Sequence, residues 1–404
     1  MRRPADALRA ARAAARMEPW REEAYWLGAR AHEALGDQAA ARRAFAALAA
    51  DFPSGRYAAE ARRSLDALER SHYEVVLDFS FENRGERPAE RIHFQVQAAQ
   101  DFPPYTQVRL LEVPDGAVPR QLSDGTRYFS LAPFQLAPRD SRSVRLRYAV
   151  AVSAGSYGAS ESPPALDGPA RFLGASRFIE SDAPEIRSLA GALAASGTER
   201  ERARRLYDFV VRRLKYVVQR ETVGALGALA NPAQADCTEF AALFVALSRA
   251  AGIPARPVFG YLHDPARETY EISHLWAEYW EDGLGWINVD PTNGTLEPDR
   301  YFARLESNSI PLWVPSPAFG DLAGVRVSYR SKGKGDPLFT ELVATIRRIP
   351  EPAFAAAEPL DVAFAPTDSE ALAPAEAELP VAPVATAFAV ALLLRVWHRR
   401  DRAA

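Results

Sequence analysis

Apolar residues recur along this chain with changing period, and each period predicts a different element. From Ala7 to Leu68 the spacing is helical, in a background rich in Ala, Arg and Leu. Ala7, Ala11, Ala14 and Pro19 recur as Ala41, Phe45, Leu48 and Pro53, a constant offset of about 34 residues. From Tyr73 the period becomes two. Tyr73, Val75, Leu77, Phe79 and Phe81 alternate with mostly polar residues; Ile92, Phe94, Val96 and Ala98 do the same, as do Val144, Leu146, Tyr148, Val150 and Val152. Strict alternation means strands with one buried face, and several such strands separated by turns predict an antiparallel sandwich over 71–155. Residues 156–170 read as a Gly/Ser/Pro/Ala linker. Over 171–335 both periods occur. Thr198 and Glu201 make a capping box before an apolar stripe of Ala203, Leu206, Tyr207, Val210, Val211 and Leu214. A second helix begins at Asp236 and stops at Gly252, with strands after it. Residues 336–378 read as a disordered Pro/Ala-rich tail.

Composition narrows the function classes. Hydrophobic residues make up 48% and charged residues 25% of the 404, which is ordinary globular usage and excludes a wholly disordered chain. A net charge of -3 supplies no reason to expect a nucleic-acid partner. One Cys excludes an internal disulfide and Cys-rich zinc sites; six His without a His-x-x-x-His pair argue against a metalloenzyme. No calcium loop is present, so neither metal nor other cofactor is expected. The 34-residue period, with Gly36-Asp37 as a turn and Arg56 to Leu68 as a covering helix, resembles tetratricopeptide helices over 1–70. The first repeat is present only as its second helix, which leaves room for natural sequence before Met1. A single complete repeat is too short to stack alone, so residues 1–70 are expected to bind a protein partner or a second copy of themselves.

The lone cysteine carries the candidate chemistry. By itself a single Cys is most often a small buried hydrophobe. Cys237, however, follows a capping Asp236 and so sits in the first turn of a helix, where unpaired N–H groups and the helix dipole favour a thiolate. A thiolate nucleophile needs a base, and the base needs an orienting partner. SHLWAEYW-EDGLG-WINVDPT reads as a hairpin with Leu275, Ala277, Tyr279, Ile287 and Val289 on one face. His274 and Asp290 fall on the other face with Trp276 and Trp280, either directly opposed or one step diagonal. His263-Asp264-Pro265 offers a second His–Asp pair, but in a Pro-containing loop that reads as a solvated turn.

NPAQADCTEFAALFVALSRAAGIPARPVFGY, SHLWAEYW and GWINVDPTNG together resemble the core of the bacterial transglutaminase-like superfamily: Cys at a helix start, a GIPAR strand, an H-x-W strand and a W-x-x-x-D-P-T strand, in order. The resemblance covers roughly 171–330. It implies a papain-like α+β core in a multidomain α+β chain, with Cys237 as nucleophile, His274 as general base and acid, and Asp290 orienting His274. The implied activity is acyl transfer at a peptide or carboxamide bond through a thioester, by hydrolysis as in a protease or amidase, or by transglutaminase-type transfer to an amine. The implied partner is a protein or peptide substrate. Gln234 is a candidate second oxyanion donor by proximity, though a surface-loop role suits it better. Leu275 stands where the family often has Ala; on the apolar face it leaves the chemistry intact. The alternative is a non-catalytic scaffold that binds through the repeat and sandwich domains.

Residues 379–397 form a candidate membrane anchor. Leu379 to Leu394 carries no charge, and RVWHRRDR follows; the run falls short of the ~20 residues of a usual span unless Arg395 snorkels. The Arg cluster would stay in the cytoplasm, placing the catalytic domain outside it. That topology requires an export signal, and MRRPADALRAARAAARMEPW lacks an apolar segment. A short tail helix on a cytoplasmic protein is the alternative.

Overall fold

The computed structural model describes residues 4–367, apart from 19, 36–37, 69, 157–168, 220, 271–272, 321 and 331–337. Pro19, the Gly36-Asp37 turn, most of the expected linker and the candidate anchor therefore lie outside the described residues. Among the described residues no helix is long and apolar enough to cross a membrane. The chain divides into two units, one of residues 1–71 with 153–155, the other of the remainder.

The first unit is four helices, α1 (Pro4–Met17), α2 (Glu22–Ala34), α3 (Gln38–Asp51) and α4 (Ala58–Leu68). Of the positions that share the 34-residue offset, Ala11, Ala41, Phe45 and Leu48 are buried, and Ala7 and Ala14 are half-buried. Small Ala29, Ala41 and Ala61 let the helices approach closely, and Trp26 stacks on Tyr57 at 5.4 Å. The Glu22 carboxylate accepts the N–H groups of Arg56 and Tyr57 just before α4, at 2.8 and 2.6 Å. These two donors have no acceptor within a helix, so the contact ties α2 to the start of α4.

The second unit opens with β1 (Arg70–Asn83), β2 (Ala89–Gln97), β3 (Thr106–Glu112), β4 (Val118–Gln121), β5 (Arg127–Ser130), β6 (Phe134–Leu136), β7 (Ser141–Ser153) and β8 (Gly155–Ser156). The alternating residues of β1, β2 and β7 point inward as their period requires, with Phe79 and Phe81 against Phe94 at 4.9 and 5.3 Å. The helices α5 (Pro184–Leu193), α6 (Glu199–Arg213), α7 (Gly224–Ala230) and α8 (Cys237–Ala250) follow. After them come β9 (Ala255–Leu262), β10 (Thr269–Tyr270), β11 (His274–Glu281), β12 (Gly285–Val289), β13 (Arg304–Leu305) and β14 (Ser309–Trp313). A four-stranded sheet, β12-β11-β9-β14, packs on α8. Ten residues of α8 from Glu239 to Ser248 are buried, so this helix is the centre of the core and its first turn is held rigidly. It ends where Gly252 takes φ +77°, a left-handed conformation that glycine adopts without strain.

Two expected boundaries move. The stretch 336–378 was expected to be a disordered tail, but β16 (Leu338–Ile349) pairs with β1 from His72↔Ile349 to Asn83↔Leu338. The Pro/Ala/Glu composition begins only at Pro350; before it, LFTELVATIRRI turns Leu338, Thr340, Ala344 and Ile346 inward. Even beyond Pro350 there is order. In α9 (Glu351–Ala356), Phe354 is buried against Ala149 and Ala151, and the Arg109 guanidinium donates to the carbonyls of Phe354, Ala355 and Ala357. Nor is the sandwich confined to 71–155. Its sheets run β10-β16-β1-β7-β3 and β15-β2-β5-β4-β17, where β15 is Val325–Arg330 and β17 is Ala365–Pro366. Both sheets thus take strands from each side of the helical core in sequence. Short alternation marks a strand but not its partner, which is why local pattern placed β15 and β16 wrongly.

Candidate active site

Asp236 caps α8, its carboxylate accepting Thr238 N–H at 2.8 Å, and Glu239 completes the box by accepting Asp236 N–H at 3.1 Å. Cys237 is the first helical residue, half-buried and a free thiol. The chain leaving α6 runs beside this entry. Lys215 N–H donates to Pro232 O and Val217 N–H to Ala235 O, each at 2.8 Å, and Tyr216 pairs with Ala235. Tyr216 is thereby brought to the thiol. Burial first, then the charges of Cys237 and Asp236, keep its hydroxyl protonated well beyond the ordinary range.

Hairpin β11–β12 pairs Ala277 with Val289. One step further sets Asp290 opposite Trp276, so His274 lies diagonal to Asp290. Side chains two residues apart on one face can meet at that offset. His274 Nε2 and Asp290 Oδ2 are 2.8 Å apart, with both side chains nearly buried. The imidazole stacks on Trp276, ring centres 5.7 Å apart. With Nε2 engaged by Asp290, Nδ1 is the remaining ring nitrogen, and the Cys237 thiol acts on the imidazole electrostatically. Burial alone would lower the basicity of this ring. The charge and hydrogen bond of Asp290, then the hydrogen bond and charge of Cys237, outweigh it and push the imidazole up to about 10. The three residues singled out by sequence are thus brought together.

Asp290 is itself held. Asn293 donates its backbone N–H to Oδ1 at 3.0 Å and its side-chain amide to Oδ2 at 2.7 Å. Tyr207 Oη, from α6, donates to Pro298 O at 3.1 Å and lies 3.5 Å from Asp290 O. A Cβ on Gly294 would come within 2.0 Å of that hydroxyl, so only glycine fits the turn. Sequence reasoning missed Asn293, Tyr207, Tyr216 and Glu239. For two of them a signal was present: Asp290-x-x-Asn293 is an Asx-type turn, and Asp236-x-x-Glu239 is a capping box.

Gln234 is exposed, and its Oε1 accepts from Asn231 Nδ2 at 2.9 Å, which matches the surface-loop role. Leu275 is buried, as its face requires. Asp264 accepts from Ala266 N–H and faces Arg267, while His263 is half-buried against Tyr73. No group of three or more His, Cys, Asp or Glu among the described residues is arranged to hold a metal ion.

Part of the chain is similar to known proteins. Residues 187–291 match the profile of the transglutaminase-like superfamily. This segment is a transglutaminase-like domain. It holds α6, α8 and the β9–β11–β12 strands, with Cys237, His274 and Asp290 inside it. A protein-glutamine gamma-glutamyltransferase of Pseudomonas aeruginosa is 39% identical over 77 residues, 17% of this chain and 11% of that one. The uncharacterized YebA of Bacillus subtilis is 34% identical over 76 residues, 16% and 10% of the two chains. The chain therefore spans about a tenth of the length of these curated relatives. A solved structure from Cytophaga hutchinsonii, described as a candidate cysteine protease, is 17% identical with a TM-score of 0.49, covering 74% of this chain and 95% of that one.

Proposed function

We propose that the transglutaminase-like domain performs cysteine-dependent acyl transfer at a peptide or carboxamide bond. One observation carries the reading: Asp290 holds Nε2 of His274 at 2.8 Å, and the Cys237 thiol at the head of α8 is, after Asp290, among the groups that raise the imidazole. An imidazolium beside a sulfur favours the thiolate, which is the nucleophilic form. Cys237 Sγ attacks the carbonyl carbon, and the electron pair of the C=O moves to oxygen. The Cys237 N–H points at the developing oxyanion; as the first helical residue it has no acceptor within the helix. Collapse breaks the C–N bond, the departing amine takes the proton from His274, and a thioester remains. Water then adds to the thioester as His274 accepts its proton, and the carboxylic acid leaves with the thiol restored. Transfer to a second amine follows the same path with the amine in place of water. Because Cys237 is partly open to solvent, hydrolysis is the expected outcome.

The test uses the full chain with a fluorogenic peptide and carboxamide panel, alongside iodoacetamide labelling at neutral pH. Cys237→Ala, His274→Ala and Asp290→Asn should each lose turnover with the folded signature retained. Since these groups act as a unit, the double Cys237→Ala/His274→Ala should be little worse than either single variant. Full turnover in Cys237→Ala, or a thiol inert to iodoacetamide in the parent, defeats the proposal.

A further inference from the structure

The sandwich sends one large side chain away from its own core. Phe102, in the loop between β2 and β3, is only 4% exposed, yet it lies outside the cluster that the sandwich strands build. It packs instead with Val258 of β9, Trp276 of β11 and Val314 just after β14, all from the four-stranded sheet that carries His274. Its ring centre is 5.9 Å from the Arg256 guanidinium of the same sheet. The loop is fastened there by its backbone and by a side chain. Gln100 N–H donates to Leu312 O at 2.8 Å, and the Gln97 side-chain amide donates to Val314 O at 3.0 Å. Phe102 and Thr106 exchange N–H to carbonyl bonds at 3.1 and 2.9 Å, which closes the loop behind the ring. Trp276 connects this cluster to the site. Its indole turns back along β11 over Gly260, the residue paired with His274; a Cβ there would come within 2.7 Å of the ring. The imidazole stacks on that indole at 5.7 Å, with 28° between the planes.

We infer that Phe102 is a positioning residue for the base: through this side chain the sandwich holds Trp276 in the orientation on which His274 stacks. The inference rests on His274 serving as the base. Phe102 lies outside the segment 187–291 that matches the transglutaminase-like profile, so the catalytic domain takes this support from the neighbouring sandwich. It acts through Trp276 and not on substrate. Truncating it opens space in a buried cluster, and close-packed neighbours relax toward such a space. The indole is the largest of those neighbours. Once it turns, the imidazole loses its flat partner, and with it the alignment that the 2.8 Å contact with Asp290 requires. A less aligned imidazolium favours the Cys237 thiolate less.

The experiment uses the full chain, a peptide that the parent cleaves, and the iodoacetamide rate of Cys237 followed from about pH 5 to 10. Phe102→Ala should lower kcat by about two- to tenfold with KM nearly unchanged, the size of one aromatic contact. The inflection of its iodoacetamide profile should move to higher pH. Phe102→Leu, which restores part of the volume, should fall between Phe102→Ala and the parent in both readings. Phe79→Leu, in the sandwich's own core, is the control for lost stability. Its urea midpoint should fall while kcat and the iodoacetamide profile stay those of the parent. Should Phe102→Ala not fold, Phe102→Leu decides, and it must lower kcat and raise the inflection. A folded Phe102 variant with the parent's kcat and profile overturns the positioning role, as does a Phe79→Leu that moves both readings equally. A parent that cleaves no peptide of the panel, or whose Cys237 is inert at every pH, instead overturns the acyl-transfer reading on which the inference rests.

Discussion

Replacing Asn293 with Ala isolates the support behind the imidazole. The substitution removes the 2.7 Å bond from the side-chain amide to Asp290 Oδ2, the same oxygen that meets His274, and leaves the backbone bond to Oδ1 in place. Asp290 is buried, so bulk water does not freely replace the lost donor. A hydrogen bond to a charged group contributes about 1.5–3 kcal/mol, and about 1.4 kcal/mol is a factor of ten, so kcat/KM should fall by roughly 10- to 150-fold. The loss should fall on kcat with KM nearly constant, because Asn293 acts through Asp290 and touches no substrate. Steady-state kinetics on a cleaved peptide, with the iodoacetamide rate as an independent reading of the Cys237–His274 pair, measures it. Asn293→Asp should be worse, since it sets one carboxylate against another. If Asn293→Ala retains kcat/KM within about twofold of the parent, at a difference of only ~0.4 kcal/mol, the supporting role is wrong.

Three further outcomes are expected. Arg256 and Glu278 form a buried pair at 2.7–2.8 Å with the guanidinium over Trp286; Arg256→Ala should cost about 3–5 kcal/mol in urea unfolding, and Arg256→Met/Glu278→Leu should recover most of it. Gly294→Ala should destabilise by about 1–3 kcal/mol and lower activity, because the new methyl displaces Tyr207 from the Asp290 turn; parent-like stability would contradict the fit. The folded Glu239 carboxyl keeps its proton to about pH 7 against an ordinary 4.5. Its contribution is therefore complete below pH 4.5 and is lost as pH rises to 7, about 3 kcal/mol in all. The urea midpoint of the parent should fall across that window relative to Glu239→Gln, and parallel profiles would refute the assignment.

Much of the site was legible because it rests on local rules. A capping Asp236 makes Cys237 the first helical residue whatever surrounds it, and period-two alternation sends His274 and Asp290 to one face of their hairpin. The buried stripe of α6 and the inward residues of β1, β2 and β7 followed from period alone. What local pattern could not supply was pairing between distant segments. The turn chemistry allowed two registers for the hairpin, and only the Ala277–Val289 pairing selects the diagonal one that leaves the His274–Asp290 bond at 2.8 Å. Pairing also decided that residues 338–349 are the strand beside β1, since a strand's inward face says nothing of which edge it joins. The same holds for the charges. Glu239 occupies an ordinary capping position until α8 is packed on all sides, and burial, with Asp236 beside it, then pushes its carboxyl up to about 7. Sequence by itself determined which side chains could do chemistry and which way each faces along its own element. Tertiary structure decided which of them share a desolvated space, because distance and dielectric belong to the packed molecule and to no segment of it.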